Sequence, residues 1–264
     1  VSIDERRQDH KDLVRYEFTK QASAYAANVT ISDPERVARL IVAARPGPED
    51  RVLEVATGPG YVALGFAVVC REVVGIDLTA APLAIAERQQ QERGITNARF
   101  QQADAENLPF AAGEFDVVVC RLALHHVEAP ERVLSEMRRV CRPNGRVAVE
   151  DLIASEHPER AAYHNRFEIL RDPSHTRALP LSEHLHRFAE LGLEVEVVRT
   201  DVIVQDLERW LANAQTPADR AADVRRLIER DAAEDLSGTT PFLEAGRWRF
   251  VHRSGTVVGR KLKG

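Results

Sequence analysis

Arg51–Gly60, RVLEVATGPG, is the stretch that decides the fold. Arg51–Ala56 reads as a strand, Thr57-Gly58-Pro59-Gly60 as a turn, and the residues through Cys70 as a helix. A glycine turn between a strand and a helix start lets the backbone approach a ligand and offers it free N–H groups. The alternation continues outward from there. Glu72–Ile76 is a strand ending at Asp77, and Thr79 is placed to cap a helix over Ala80–Arg93 that Gly94 ends. Ala98–Gln102 is a short strand. Phe115–Cys120, FDVVVC, is apolar almost throughout, as a strand buried on both faces of a parallel sheet must be. Glu131–Cys141 is a helix with Val133, Leu134, Met137 and Val140 inward, Pro143-Asn144-Gly145 turns the chain, and Arg146–Leu152 is a fifth strand. Strands alternating with helices imply right-handed crossovers. The fold class is therefore α/β, with a Rossmann-like, doubly wound, mostly parallel sheet for which seven strands are expected.

Before this core, residues 1–31 are polar with aromatic insertions and read as helical. Ser32-Asp33-Pro34-Glu35 then opens a helix: Asp33 can cap it, Pro34 suits its first turn, and Val37, Leu40, Ile41 and Ala44 form one apolar face. After the core, 157–170, 181–191, 207–214 and 218–233 look helical and 193–204 strand-like, while 247–262 reads as a long hairpin turning at Ser254-Gly255. Nothing resembles a linker, so 1–264 is read as one unit. Residues 1–31 form a lid, 32–155 a ligand-binding core, and 156–264 the substrate-side helices and final strands.

Composition excludes several classes. The 264 residues carry 36 Lys and Arg against 41 Asp and Glu, a net charge of −5, and 44% are hydrophobic. A chain this long can bury roughly 70–75% of its unfolded surface, and it lacks the basic excess of nucleic-acid binders. Cys70, Cys120 and Cys141 lie in apolar stretches and read as buried small hydrophobes. No apolar run reaches membrane-span length. The charged start, VSIDERRQDHKDL, lacks a signal-peptide core, which makes a reducing cytoplasm the expected location. His184-x-His186 could suggest a metal, but positions i and i+2 of a helix diverge and no third ligand accompanies them, so no metal site is expected. The 218–233 helix alternates charge and reads as a surface helix, with a homodimer contact as the other reading.

The glycine turn combined with Asp77 at the end of the second strand points to a nucleoside ligand, because a carboxylate there can accept both ribose hydroxyls. NAD is the competitor that this spacing also fits. Glu54, inside the first strand, argues against it, since a carboxylate suits an ammonium group and not a pyrophosphate. After the third strand, Asp104 can accept from an adenine amino group while the Ala105 N–H donates to a ring nitrogen.

VLEVATGPG, VVGIDL, QADAENLPF, FDVVVCRLALHHV and RRVCRPNGRVAV together resemble the class I S-adenosylmethionine-dependent methyltransferases, and within them the small-molecule branch with the ubiquinone and menaquinone methyltransferases. The resemblance covers about residues 50–155 and lies in the order and spacing of motifs. It implies S-adenosylmethionine as cofactor, leaving as S-adenosylhomocysteine. It assigns Glu54 to the methionine end, Ala56, Gly58 and Gly60 to the backbone cradle, Asp77 to the ribose, Leu78 to adenine packing, Asp104 and Ala105 to the adenine edge, and Arg121 to the methionine moiety. Val62 stands where the family commonly has a third glycine. FTKQASAY, residues 18–25, resembles the branch's N-terminal lid, in which a tyrosine, here Tyr25, folds over the cofactor.

Methyl transfer from a sulfonium needs a positioned acceptor and a dry site, and a base only when the acceptor arrives protonated. Ligands of open sheets sit beyond the carboxyl ends of strands, where His125 and His126 follow the fourth strand. Of the two, His126 is the favoured acceptor of a proton from a phenol, enol or thiol. Glu150, His175 and Arg177 are candidates for substrate contact. The expected function is methyl transfer to an O or C atom, more than N, of a small molecule, without nucleic-acid or membrane partners. The alternatives are a non-methylating or regulatory use of the same cofactor, and a protein or nucleic-acid methyltransferase. The latter lacks its Asn-Pro-Pro-Tyr-type motif here.

Overall fold

In the computed structural model, which describes residues 3–263, the central sheet runs β3-β2-β1-β4-β5-β9-β7. The strands are β1 (Arg51–Val55), β2 (Glu72–Asp77), β3 (Ala98–Gln102), β4 (Phe115–Arg121), β5 (Cys141–Ala154), β6 (Leu179–Pro180), β7 (Leu193–Asp206), β8 (Phe242–Glu244) and β9 (Arg247–Lys261). β1 to β5 pair in parallel, β9 runs antiparallel to both β5 and β7, and the short β6 and β8 attach to β5 and β9. The seven-strand path matches the expected sheet. Its order reverses beside β1, so the carboxyl ends of β1, β2 and β4 open onto one crevice.

Alternation along each strand feeds two cores. Leu53, Val118 and Val147 face α6 (Pro130–Val140) and α8 (Leu181–Glu190), while Val52, Val117, Val119 and Ala148 face α3 (Pro34–Ala44) and α4 (Tyr61–Phe66). That two-sided burial explains the unbroken apolar run of β4. Asp33 caps α3 as expected, accepting from the N–H of Glu35 and Arg36. A third cluster, Phe167, Trp210, Ile228 and Phe250 among its members, joins α7 (Pro158–Arg171), α9 (Leu207–Asn213), α10 (Ala218–Glu234) and β9. The polar start of the chain is a 24-residue helix, α1 (Ile3–Ala26), followed by the single turn α2 (Val29–Ser32).

Three local expectations fail for physical reasons. Thr79 heads α5 (Ala80–Glu92) without a side-chain cap, and its backbone N–H is held instead by Asp77 Oδ1 at 2.8 Å. Pro143-Asn144-Gly145 does not turn the chain ahead of the fifth strand but lies within β5, which starts at Cys141. Asn144 takes a left-handed φ of 62°, and the ladder slips there, Cys141 facing Phe115 and Arg146 facing Val117. Nor does the chain turn at Ser254-Gly255, where β9 continues between Asp151 of β5 and Thr200 of β7. Gly255 is small because a Cβ would stand 2.9 Å from Ile153 Cγ2 and 3.2 Å from Leu181 Cδ1. The hairpin turns at Ala245-Gly246, both left-handed. Gly255→Ala is therefore expected to destabilise the protein by about 1–3 kcal/mol through overpacking, and urea denaturation would measure it. A variant as stable as the parent contradicts this packing.

Candidate functional site

The crevice is divided into adjoining cavities, and Tyr25 and Leu122 border all of them. The first holds about 850 Å³ of space, counting the open solvent at its mouth. Ala56, Gly58, Asp77, Leu78, Asp104 and Ala105 line it, roofed by α1. Ala56 and Leu122, where the chain leaves β1 and β4, take left-handed φ of 57° and 52° and turn it along the cavity wall.

Asp77 ties this wall together. Its Oδ2 accepts from the Gly58 N–H at 2.9 Å and its Oδ1 from Thr79, each oxygen keeping a lone pair for a further donor. Burial raises its pKa to about 6 despite these bonds. Gly60 is not among the residues lining this cavity. It begins α4 with φ +82°, and a Cβ there would stand 2.7 Å from Ala86 Cβ, so packing beneath the loop requires a glycine at this position.

A small recess beside the first cavity holds Glu54 and Arg121. Glu54 accepts from Thr57 Oγ1 at 2.5 Å and from the Ala63 N–H at 2.7 Å. Burial outweighs both bonds and the nearby Arg121, and lifts its pKa to about 8. Arg121 pairs with Glu150 at 3.3 Å and donates to the carbonyls of Ile31 and Thr30, joining the segment after α1 to β4 and β5. Glu150 is thus engaged by Arg121 and faces none of the cavities.

Beyond Tyr25 lies the second cavity, lined by His125, His126 and His175 with Arg171, Asp172 and Glu168. His126 borders both first and second cavities. Its Nδ1 lies 3.0 Å from Ser174 Oγ, whose proton goes to Asp172 Oδ1 at 2.6 Å. A hydroxyl has one proton to give, so His126 must donate from Nδ1, leaving the lone pair on Nε2. Burial, with His125 alongside, pushes its pKa down to about 4. Burial also opposes charge on Asp172, yet His126, Arg171, Ser174 and Gln21 hold its carboxyl well below the usual range.

His125 behaves oppositely. Burial disfavours its charge, but Asp151 lies 2.5 Å from Nδ1 and raises its pKa, while also accepting the His125 N–H. His175 is bonded through Nε2 to Asn165 Oδ1 at 2.8 Å, and burial lowers its pKa well below the ordinary value. Arg177 does not reach the cavity. It is exposed and paired with Glu183.

The roof is pinned along its length. His10 donates to the His126 carbonyl at 2.8 Å, Lys11 pairs with Asp104 at 2.7 Å and Glu106 at 3.2 Å, and Gln21 donates to Asp172 at 3.0 Å. Phe18 packs edge-on against both Tyr25 and His126. Tyr25 stands over Gly58, its Cε1 3.6 Å from where a Cβ would be, and burial raises its pKa to about 12. Sequence reasoning missed Lys11, Asp172 and Ser174, because only the fold brings them to the rim. It also missed a buried set of His164, Glu168 and His252 behind the second cavity. His184 and His186, weighed from spacing, point apart as expected, the first buried and the second exposed.

Residues 53–149 match the family described as a methyltransferase domain. The uncharacterised methyltransferase YcgJ of Bacillus subtilis is 33% identical over 207 residues, 78% of this chain and 82% of that protein. Its crystal structure overlays with a TM-score of 0.82, covering 87% of this chain and 99% of YcgJ. A demethylmenaquinone methyltransferase of Thermus thermophilus is 41% identical over 101 residues, 38% of this chain and 46% of its own. A ubiquinone/menaquinone biosynthesis C-methyltransferase of Ectopseudomonas mendocina is 35% identical over 127 residues, 47% and 49% of the two chains.

The roof's attachment can be tested by itself. Lys11→Ala leaves Asp104 and Glu106 facing each other without their cation. Opening of α1 should become about 1 kcal/mol easier, so its amides should exchange with deuterium about fivefold faster while β1, β4 and β5 are unchanged. Unchanged exchange in α1 would show that these ion pairs do not hold it.

Proposed function

The chain belongs to the class I S-adenosylmethionine-dependent methyltransferases, and we propose that it methylates an oxygen or carbon atom of a small molecule held in the second cavity. S-adenosylmethionine is its cofactor. The residues present fit that group: an open cavity beside Gly58, the ribose-competent Asp77, an Ala105 N–H bonded to no acceptor among the described residues, and a Glu54 carboxylate at the other end. The cofactor supplies an electrophilic methyl on a good leaving group. The observation that carries the reading is the shared wall. Tyr25 and His126 each border both cavities, so a ligand end in one meets a ligand end in the other at these side chains.

In this scheme Asp77 takes the ribose hydroxyls, Leu78 packs on the adenine, and Asp104 and Ala105 take its polar edge. Glu54 receives the ammonium group, and Arg121 holds the wall of the same recess. Tyr25 and Phe18, on the roof of α1, exclude water from the junction. His126 Nε2 takes the acceptor's proton. A base with a pKa near 4 removes that proton only as bond formation makes the acceptor atom positive. Ser174 and Asp172 fix the tautomer, and the ionised Asp172 steadies the imidazolium as it forms. His125 is locked on Asp151, and His175 contributes a neutral edge to the acceptor wall. A quinol or phenol acceptor agrees with the quinone-pathway relatives and with the carbon or oxygen preference.

Calorimetric titration with S-adenosylhomocysteine, with NADH in parallel, tests the binding half. The first alone should bind, at micromolar affinity. Asp77→Ala should weaken it by about 1.5–3 kcal/mol, the loss of charge-assisted hydrogen bonds. Glu54 adds a signature. At pH 7, below its pKa of about 8, the free protein keeps this proton, and an arriving ammonium expels it. Binding should release about one proton, read as a binding enthalpy that depends on the buffer's ionisation heat. Glu54→Gln should abolish the dependence. A buffer-independent enthalpy in the parent contradicts the Glu54 assignment.

His126 sets the pH limit of turnover. Its active form is unprotonated, so loss of activity through this group should fall near pH 4, not near 6.5. His126→Gln should lower kcat far more than affinity for S-adenosylhomocysteine. Equal kcat, or a loss confined to affinity, removes it as the base.

A further inference from the structure

Behind the second cavity, three buried side chains converge that the methyl-transfer scheme leaves unused. His164 and Glu168 stand one turn apart on α7, and His252 reaches them from β9. Each is at most 3% exposed. His164 Nε2 lies 3.3 Å and His252 Nε2 2.6 Å from the same oxygen, Glu168 Oε1. One ligand atom from each residue falls within 4.8 Å of the others. The closer approach is a buried ion-pair contact whose angles are poor for a hydrogen bond from His252 Nε2. Among the described residues, the ion pairs of Glu168 are with these two histidines, and no lysine or arginine neutralises it. A buried carboxylate between two imidazoles is costly unless one ring takes up a proton or a metal cation joins the three.

We infer that His164, Glu168 and His252 form a binding site for one divalent transition-metal ion on the wall of the second cavity. Two imidazoles and one carboxylate are a donor set that suits Zn²⁺, Fe²⁺ or Ni²⁺ better than Mg²⁺ or Ca²⁺. Tetrahedral ligands about 2.1 Å from a metal stand about 3.4 Å apart. The His164–Glu168 separation matches that spacing, and the His252 ring needs to retreat from Oε1 by less than about 1 Å to match it too. The outer shell is also present. His252 Nδ1 lies 3.4 Å from the Gln205 amide, and a half-turn of that amide lets its oxygen accept from Nδ1–H, which places the lone pair on Nε2. Three protein ligands leave a coordination position free. Glu168 and His252 both line the cavity, so that position faces it. Its occupant would be an oxygen of the acceptor, which selects acceptors with an acidic hydroxyl or adjacent oxygen atoms. This last step rests on the second cavity being the acceptor site; the metal site does not.

Tag-free protein, stripped with a chelator and dialysed, is titrated with Co²⁺. One equivalent should produce the intense visible absorption of a four- or five-coordinate ion, bleached by Zn²⁺, and Zn²⁺ should raise the Tm. Glu168→Gln and His252→Gln should each weaken uptake by at least about 100-fold while S-adenosylhomocysteine binding, measured on the same samples, is retained. If a variant does not fold, as circular dichroism would show, the parent protein decides: absorption characteristic only of six-coordinate Co²⁺, or none, overturns the site. Uptake that survives in a folded variant overturns it as well. Because S-adenosylhomocysteine binding is read separately, loss of the cofactor assignment and loss of the metal site are distinguishable.

Discussion

Glu54, Glu150, Asp151 and Asp172 are buried along the carboxyl rim of this sheet and Asp77 is partly so, and how each is compensated decides what that part of the rim can do. Glu54 and Asp77 are held mainly by backbone N–H groups and the Thr57 hydroxyl, which do not offset burial, so their pKa values rise. Such carboxylates gain most from a ligand bearing a positive charge or several hydroxyls. Glu150 and Asp151 are already answered by Arg121 and His125. They fasten the rim together and have little left for a substrate. Asp172 works through Ser174 on one ring of His126. One mostly parallel sheet thus presents acids in three conditions, and the proposed division between cofactor end, scaffold and acceptor end follows from their partners.

The roof depends on the same logic. α1 is polar along most of its length and is not held by an apolar stripe. Its docking comes from Lys11 on Asp104 and Glu106, Gln21 on Asp172, His10 on the His126 carbonyl, and the Phe18–Tyr25–His126 ring cluster. Arg121 secures the following turn through the Thr30 and Ile31 carbonyls. Individually these polar contacts are weak. A roof attached in this way can open locally without unfolding the sheet, and ligand exchange at an enclosed site requires that opening.

Much of the fold was legible because local signals agreed: the apolar run of β4, Asp33 before Pro34, and the glycine turn after β1. Where they failed, a distant neighbour had changed a residue's meaning. Ser254-Gly255 looks like a turn, but Gly255 is small to admit Ile153 and Leu181. Gly60 reads as part of a ligand cradle, and the fold adds a reason the sequence does not show, since a Cβ there would press on Ala86. Within the candidate site, residues following strand ends were readable because topology alone delivers them to the crevice. Arg177 was a candidate substrate contact in the same segment as His175, and the loop turns it outward to Glu183. His164, Glu168 and His252 could not have been read as a set. Spacing of i and i+4 joins the first two on a helix, but the third arrives from the far end of the chain on β9.

The central claim is that ligand ends meet at Tyr25 and His126, with the cofactor on the Gly58 side and the acceptor on the His175 side. A crystal structure of the complex with S-adenosylhomocysteine tests it most directly. The account predicts the adenine between Leu78 and Asp104, the ribose on Asp77, the amino group at Glu54, and the sulfur facing the second cavity beside His126. Density for the ligand anywhere else, or in the reverse orientation with its adenine toward Glu54, would contradict it.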